Sequence, residues 1–168
     1  NNDYDIDGFL KVPEPLIQKE FSRIMSLKDG SKKMSKSDIS DLSRINLTDE
    51  RDQIINKIKK AKTDALSMPK DIKELEGRLE AQNLLGIYSS LDNSNLETSI
   101  NKFSGKNFSE FKQQLSELLI KKILPISEEI KKLLQDHNYL DSILLDGVEK
   151  ADKIASKKIK NLKEIVGF

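Results

Sequence analysis

The chain has 168 residues, with 29 basic against 28 acidic side chains, a net charge of +1, one histidine and no cysteine. Disulfides, thiolate metal sites, a histidine-based metal cluster and a histidine-containing catalytic triad are therefore excluded within it. A near-neutral balance does not announce nucleic acid either, so any such contact must come from local clustering of cations.

The length suffices for one ordinary domain with a real core. The opening Asn1-Asn2-Asp3-Tyr4-Asp5 carries no methionine and reads as the interior of a longer protein, so the expectation is a fragment with its upstream part elsewhere. No apolar run reaches membrane-spanning length and no signal peptide is visible, which points to a cytoplasmic protein without a membrane partner.

Residues 1–45 hold Gly8, Pro13, Pro15 and Gly30 and no sustained helical period. Phe9 to Pro13 reads as an extended piece stopped by proline, and residues 14–21 as a short helical turn. Arg23 to Leu27 alternates polar and apolar and predicts a short strand, with a lysine-rich loop at its C-terminal end, where ligands bind in open α/β sheets.

From Leu47 the pattern is helical. Thr48 is the predicted cap of a first helix with Asp49 and Glu50 in its first turn, and Ile54, Ile55, Ile58 and Ala61 share one face. Residues 65–70, with Pro69, form a loop. A helix over about residues 80–91 buries Leu84, Leu85, Ile87, Tyr88 and Leu91. Ser94 with Glu97, and Asn107 with Glu110, have capping-box spacing for the next two helices.

The second of these is long and carries a stripe of Phe111, Leu115, Leu118, Leu119, Ile123, Ile126, Ile130, Leu133 and Leu134. Pro125 is expected to kink or divide it. His137 then falls at a helix C-terminus. Asn138 and Asp141 begin a short helix ending near Gly147, and a last helix covers about residues 149–166. Apolar stripes at this spacing pack a bundle. Phe103, Phe108 and Tyr139 are aromatic candidates near helix ends, expected to seal that bundle.

The most specific segment is Lys33-Met34-Ser35-Lys36-Ser37, preceded by Gly30. Two lysines three residues apart, among small hydroxyl residues, make a cationic loop able to close on a polyphosphate, with Gly30 as its hinge. This is the KMSKS signature of class I aminoacyl-tRNA synthetases. Its flank Arg23-Ile24-Met25-Ser26-Leu27, the turn Ala61-Lys62-Thr63-Asp64, the run Asn83-Leu84-Leu85-Gly86-Ile87-Tyr88 and the set Leu140-Asp141, Gly147, Lys150 and Ala151 resemble bacterial-type tryptophanyl-tRNA synthetase over nearly the whole chain. Two departures stand out. Ile39 occupies a position where many members of that family have proline, and the first class I signature, of HIGH type, is absent from this sequence.

The resemblance implies a mainly α chain: a helical bundle of the anticodon-binding type over residues 46–168, preceded over residues 1–45 by the C-terminal remnant of a Rossmann-like α/β catalytic domain. It implies ATP-dependent activation of L-tryptophan and transfer to tRNA(Trp). Lys33 and Lys36 would be catalytic, and Ile24, Lys33, Met34, Ser35, Lys36 and Ser37 would bind ATP, the backbone of Ile24 and Met34 holding the adenine. Mg2+ would come with ATP, with no protein metal ligand identified. The full-length enzyme would be a homodimer, whereas this fragment is expected to be inactive alone and able to remain monomeric.

In the last helix, Lys153, Lys157 and Lys160 recur along one side and are the candidate tRNA contacts, set against Asp152 and Glu164, which favour an ordinary charged face. Two other readings stay open: tyrosyl-tRNA synthetase, and a non-catalytic helical module that docks RNA or protein.

Overall fold

A computed structural model describes residues 8–17 and 21–167. Among them the chain is mainly helical, with α1 Arg51–Lys60, α2 Leu79–Asp92, α3 Leu96–Phe103, α4 Phe108–Leu133 and α5 His137–Val166, plus 3-10 turns at Asp41–Ser43 and Lys73–Leu75. The chain forms two compact units, Gln18–Lys131 and a second made of Asn1–Ile17 with Lys132–Phe168.

The core of the first unit is built by the predicted stripes. Ile54 and Ile58 of α1 and Ala61 at its C-terminal cap are buried with Leu84, Leu85 and Tyr88 of α2, Ile100 and Phe103 of α3, and Phe111, Leu115 and Leu119 of α4. Three rings lock α2, α3 and α4 together. Phe103 meets Tyr88 and Phe111 edge-on, each at 4.8 Å between centroids. Such pairs contribute about 0.5–1.5 kcal/mol beyond their burial. Of the aromatic candidates, Phe103 is sealed in this core, Phe108 packs against it partly buried, and Tyr139 is exposed on α5.

The helix ends correct several expectations. Thr48 does not cap α1. Glu50 does, its N–H donating to Gln53 Oε1 at 2.8 Å, because Asp49 is turned inward to accept from Asn46 N–H and from Lys57. Asn95, not Ser94, caps α3 by accepting from Thr98 N–H at 2.8 Å. Asn107 accepts from Glu110 N–H at 2.8 Å, as its spacing predicts.

Pro125 does not divide α4, which runs through it as one helix of 26 residues. Its apolar stripe fades beyond Ile123: Ile126 is exposed, and so is Leu134, which falls just past the end of the helix. Gly147 likewise fails to stop α5. A glycine inside a helix costs only about 1 kcal/mol, and the neighbouring turns carry the helix on to Gly167, which takes the left-handed conformation at φ 87°. His137 is the first residue of α5, just after its cap Asp136, and so sits at the opposite pole of a helix from the expected one.

No strand exists among the described residues; residues 23–27 make one antiparallel bridge, Met25 to Lys33. A strand needs a continuous ladder, and here the neighbours are loops and a side chain. Residues 9–17 hold no regular element, so the helical turn expected from residue 14 does not form over 14–17, while 18–20 lie outside the described residues. In the second unit, α5 has no buried residue, and Lys158 places its ammonium over the Phe9 ring at 3.8 Å.

Candidate functional site

The segment before the lysine loop stays extended because every side of it finds a partner. Ser26 N–H donates to Lys32 O at 2.8 Å and Met34 N–H to Ile24 O at 2.9 Å, folding residues 24–34 into a tight reversal. Leu27 N–H donates to Ser43 O at 2.9 Å, and Lys62 N–H to Leu27 O at 2.7 Å. On the remaining side the Asn83 carboxamide of α2 accepts from Met25 N–H at 2.9 Å and donates to Met25 O at 2.8 Å. One side chain thus does the work of a neighbouring strand.

Gly30 sits at the turn of this reversal, buried against the start of α2. A Cβ there would lie 2.8 Å from the Leu79 carbonyl carbon and 2.9 Å from Glu80 N. Close approach to backbone, rather than a hinge, is what demands glycine at this point. The Lys62 ammonium lies 2.7 Å from Glu80 Oε1. Lys62 chiefly holds that carboxyl below its usual range, against the upward push of burial.

The lysine loop rises from this base. Ile24 and Met34 are half-buried against the core, so the root is fixed, while Lys33 and Lys36 are exposed. Ser35 and Ser37 form a small polar turn, their hydroxyls 3.0 Å apart and Asp38 N–H donating to Ser35 O at 3.4 Å. Lys36 lies at its tip. A cavity of about 650 Å3 opens beside it, lined by Ile24, Lys33, Met34, Lys36, Arg44 and Asn46 among others.

Four of the sequence-predicted ATP residues therefore share one cavity wall, and Ser35 and Ser37 belong to the adjoining turn. Lys153, Lys157 and Lys160 are exposed on α5. Sequence reasoning missed Arg44 and gave Asn83 no role. Their partners are distant or loop-borne, and only the Asn83-Leu84 run held a signal. Chemically, the arrangement offers two exposed ammonium groups and small hydroxyls on a root packed against the core, facing an open volume suited to a phosphate chain. Among the described residues no group of three or more His, Cys, Asp or Glu side chains is placed to hold a metal ion, and no helix is long and apolar enough to cross a membrane.

The sequence profile of the class I tRNA synthetases (W and Y) matches residues 2–124. The tryptophan--tRNA ligase of Brucella melitensis is 46% identical over 166 residues, covering 99% of this chain and 47% of the relative. That of Rickettsia felis is 52% identical over 159 residues, covering 95% and 48%. The crystal structure of tryptophanyl-tRNA synthetase from Mycoplasma pneumoniae superposes with a TM-score of 0.82 at 22% identity, over 99% of this chain and 49% of that one, a likeness of fold. The chain belongs to the class I tRNA synthetases of the tryptophan and tyrosine type. It spans about half the length of the curated relatives it matches.

Proposed function

We propose that this chain is the C-terminal half of a tryptophan–tRNA ligase, which activates L-tryptophan with ATP and transfers it to tRNA(Trp). The observation that carries this is the two-lysine loop, rooted on the core beside an open cavity, within a chain about half identical to ligases of that name along nearly its whole length. Residues 1–45 are assigned to the end of a Rossmann-like catalytic domain, the extended segment before the loop being the remnant of its sheet. Residues 46–168 are assigned to the helical domain that meets the anticodon, with Lys153, Lys157 and Lys160 along the RNA backbone.

In the first step a tryptophan carboxylate oxygen attacks the α-phosphorus of ATP. The bond from that phosphorus to the bridging oxygen breaks, and pyrophosphate leaves with the growing charge. Lys33 and Lys36 stabilise that charge, Lys36 at the loop tip drawing in as the bond lengthens, so the interaction is strongest at the transition state. Ser35 and Ser37 donate to phosphate oxygens, and the backbone of Ile24 and Met34 holds the adenine edge. A ribose hydroxyl of the terminal adenosine of the tRNA then attacks the carbonyl carbon, and AMP leaves. Mg2+ is assigned to the phosphates of ATP, with no protein ligand to it. The reading carries with it a cytoplasmic, homodimeric full-length enzyme and little activity in the present chain by itself, since only part of the ATP site is in it.

Pyrophosphate exchange by the full-length polypeptide tests this. Exchange that depends on tryptophan and not on tyrosine, followed by charging of tRNA(Trp), is expected. Exchange with tyrosine would move the chain to the sister enzyme, and no exchange with either would favour a non-catalytic module.

A further inference from the structure

The far end of the lysine loop is held by a charge-balanced network centred on Arg44. Its Nη1 donates to the Asp38 carbonyl at 3.0 Å, its Nε to Asn46 Oδ1 at 3.1 Å, and its Nη2 lies 3.0 Å from Asp41 Oδ1. The second oxygen of Asp41 faces Lys57 Nζ at 2.7 Å, and that ammonium reaches Asp49 Oδ2 at 2.6 Å. Asn46 closes the ring, its Nδ2 donating to Asp41 Oδ1 at 3.0 Å and Asp49 Oδ1 at 3.1 Å. Two cations meet two carboxylates.

The Lys57 and Asp49 side chains are 3% and 4% exposed, whereas Asp41 is 53% exposed. Sealing an ion pair brings little net stability, because desolvation offsets the attraction. The geometry gives the network a different use. Asp38 is where the chain leaves Ser37, and its carbonyl is tied through Arg44 and Asp41 to Lys57 of α1. Arg44 lines the cavity beside Lys33 and Lys36, but its side chain is only 17% exposed and three of its five N–H groups are engaged, one on each nitrogen, so most of its guanidinium is committed to the network.

We infer that Arg44 is a positioning residue for pyrophosphate departure: through the Asp38 carbonyl it fixes the exit of the lysine loop to α1, and so sets where Lys36 meets the leaving group. The inference rests on the ligase reading above. Lysine is no substitute, because a single ammonium cannot span three acceptors arranged around a planar fork.

The test uses the full-length polypeptide with Arg44→Lys, Asp41→Asn and Lys36→Ala. Three readouts are needed: kcat and ATP KM in pyrophosphate exchange, the single-turnover rate of transfer from preformed adenylate to tRNA, and the thermal midpoint. Misplacing a catalytic group by about 1 Å costs up to about 100-fold, so Arg44→Lys is expected to lower exchange kcat about tenfold or more. Transfer, in which no pyrophosphate leaves, stays within about twofold, as it must if only the loop has moved.

A smaller loss of exchange, or an equal loss in both steps, overturns the inference, since a merely structural role lowers both through the folded fraction. Asp41→Asn, at a half-exposed site, is expected to shift exchange in the same direction and decides the matter if Arg44→Lys does not fold. Lys36→Ala separates the two failures. If it leaves exchange intact, the loop reading itself is wrong; if it lowers exchange while Arg44→Lys does not, only the positioning role falls.

Discussion

The carboxamide of Asn83 and the backbone of Met25, 58 residues apart in sequence, exchange two hydrogen bonds of 2.9 and 2.8 Å. This pairing holds the root of the lysine loop in an extended form without a sheet. Asn83 is 8% exposed and Met25 is half-buried, so water replaces the two bonds only in part once the amide is gone. Asn83→Leu should destabilise the chain by about 1–2 kcal/mol, since an orphaned buried group costs about 1–3 kcal/mol and these are partly buried. Asn83→Asp keeps the acceptor and loses the donor, so it is expected to cost less. Urea unfolding followed by far-UV dichroism measures both, and an unchanged midpoint for Asn83→Leu would contradict the pairing.

Gly30 gives a second prediction, about contact rather than flexibility. An alanine methyl would enter within 2.9 Å of α2 backbone, and overpacking of that kind costs about 1–3 kcal/mol. Gly30→Ala should lower the unfolding midpoint and shift amide exchange at Leu79 and Glu80. Were Gly30 only a hinge, the substitution would slow turnover while leaving the midpoint where it was.

Among the described residues, five carboxyls are held below their ordinary range, and three of them illustrate the acid limit of stability. The Glu80 carboxyl is held low chiefly by the Lys62 ammonium, and that of Asp41 chiefly by Lys57. Burial pushes Asp64 upward most strongly, but the two bonds from Arg78, at 2.9 and 2.8 Å, the Leu66 N–H and the Arg78 charge together outweigh it and leave its carboxyl below the usual range. A group depressed in the folded state contributes fully above its unfolded pKa, near pH 4 for these acids, and loses that contribution as pH falls through the folded value. The thermal midpoint should hold steady from pH 7 to about 5 and drop below about pH 4. Arg78→Gln should soften the drop. A midpoint flat down to pH 2.5 would mean these partners add nothing.

On α5, Lys153, Lys157 and Lys160 are proposed to follow the phosphates of tRNA. Replacing them with glutamine should reduce the slope of log affinity against log salt by about 0.7–0.9 per lost contact. Fluorescence titration of the full-length protein with tRNA(Trp) between low and moderate salt reads this directly. An unaltered slope would remove this face from the RNA surface.

What the sequence discloses depends on how local the determinant is. The stripes of α1, α2 and α4 and the Asn107 cap are visible because side chains three and four residues apart share a face and a cap reaches only three residues on. The pentapeptide is visible as a run of residue types. The Asn83–Met25 pairing, the Arg44 network and the close approach at Gly30 are not, because each joins segments whose meeting is decided by the packed core. Gly147 misled for a related reason: a glycine is a stop only where the chain turns left-handed, as at Gly167, and composition alone does not say which glycine does so.

The central claim is that Lys33 and Lys36 neutralise the departing pyrophosphate from a rigid root. Its most direct test is the rate of tryptophanyl-adenylate formation by the full-length polypeptide with Lys33→Ala and Lys36→Ala combined, measured in a single turnover at saturating ATP. Losing a preorganised charge contact at a transition state typically costs 100- to 1,000-fold, so a fall of about that size, with ATP affinity changing far less, is predicted. Adenylate formed at the unaltered rate would contradict the claim.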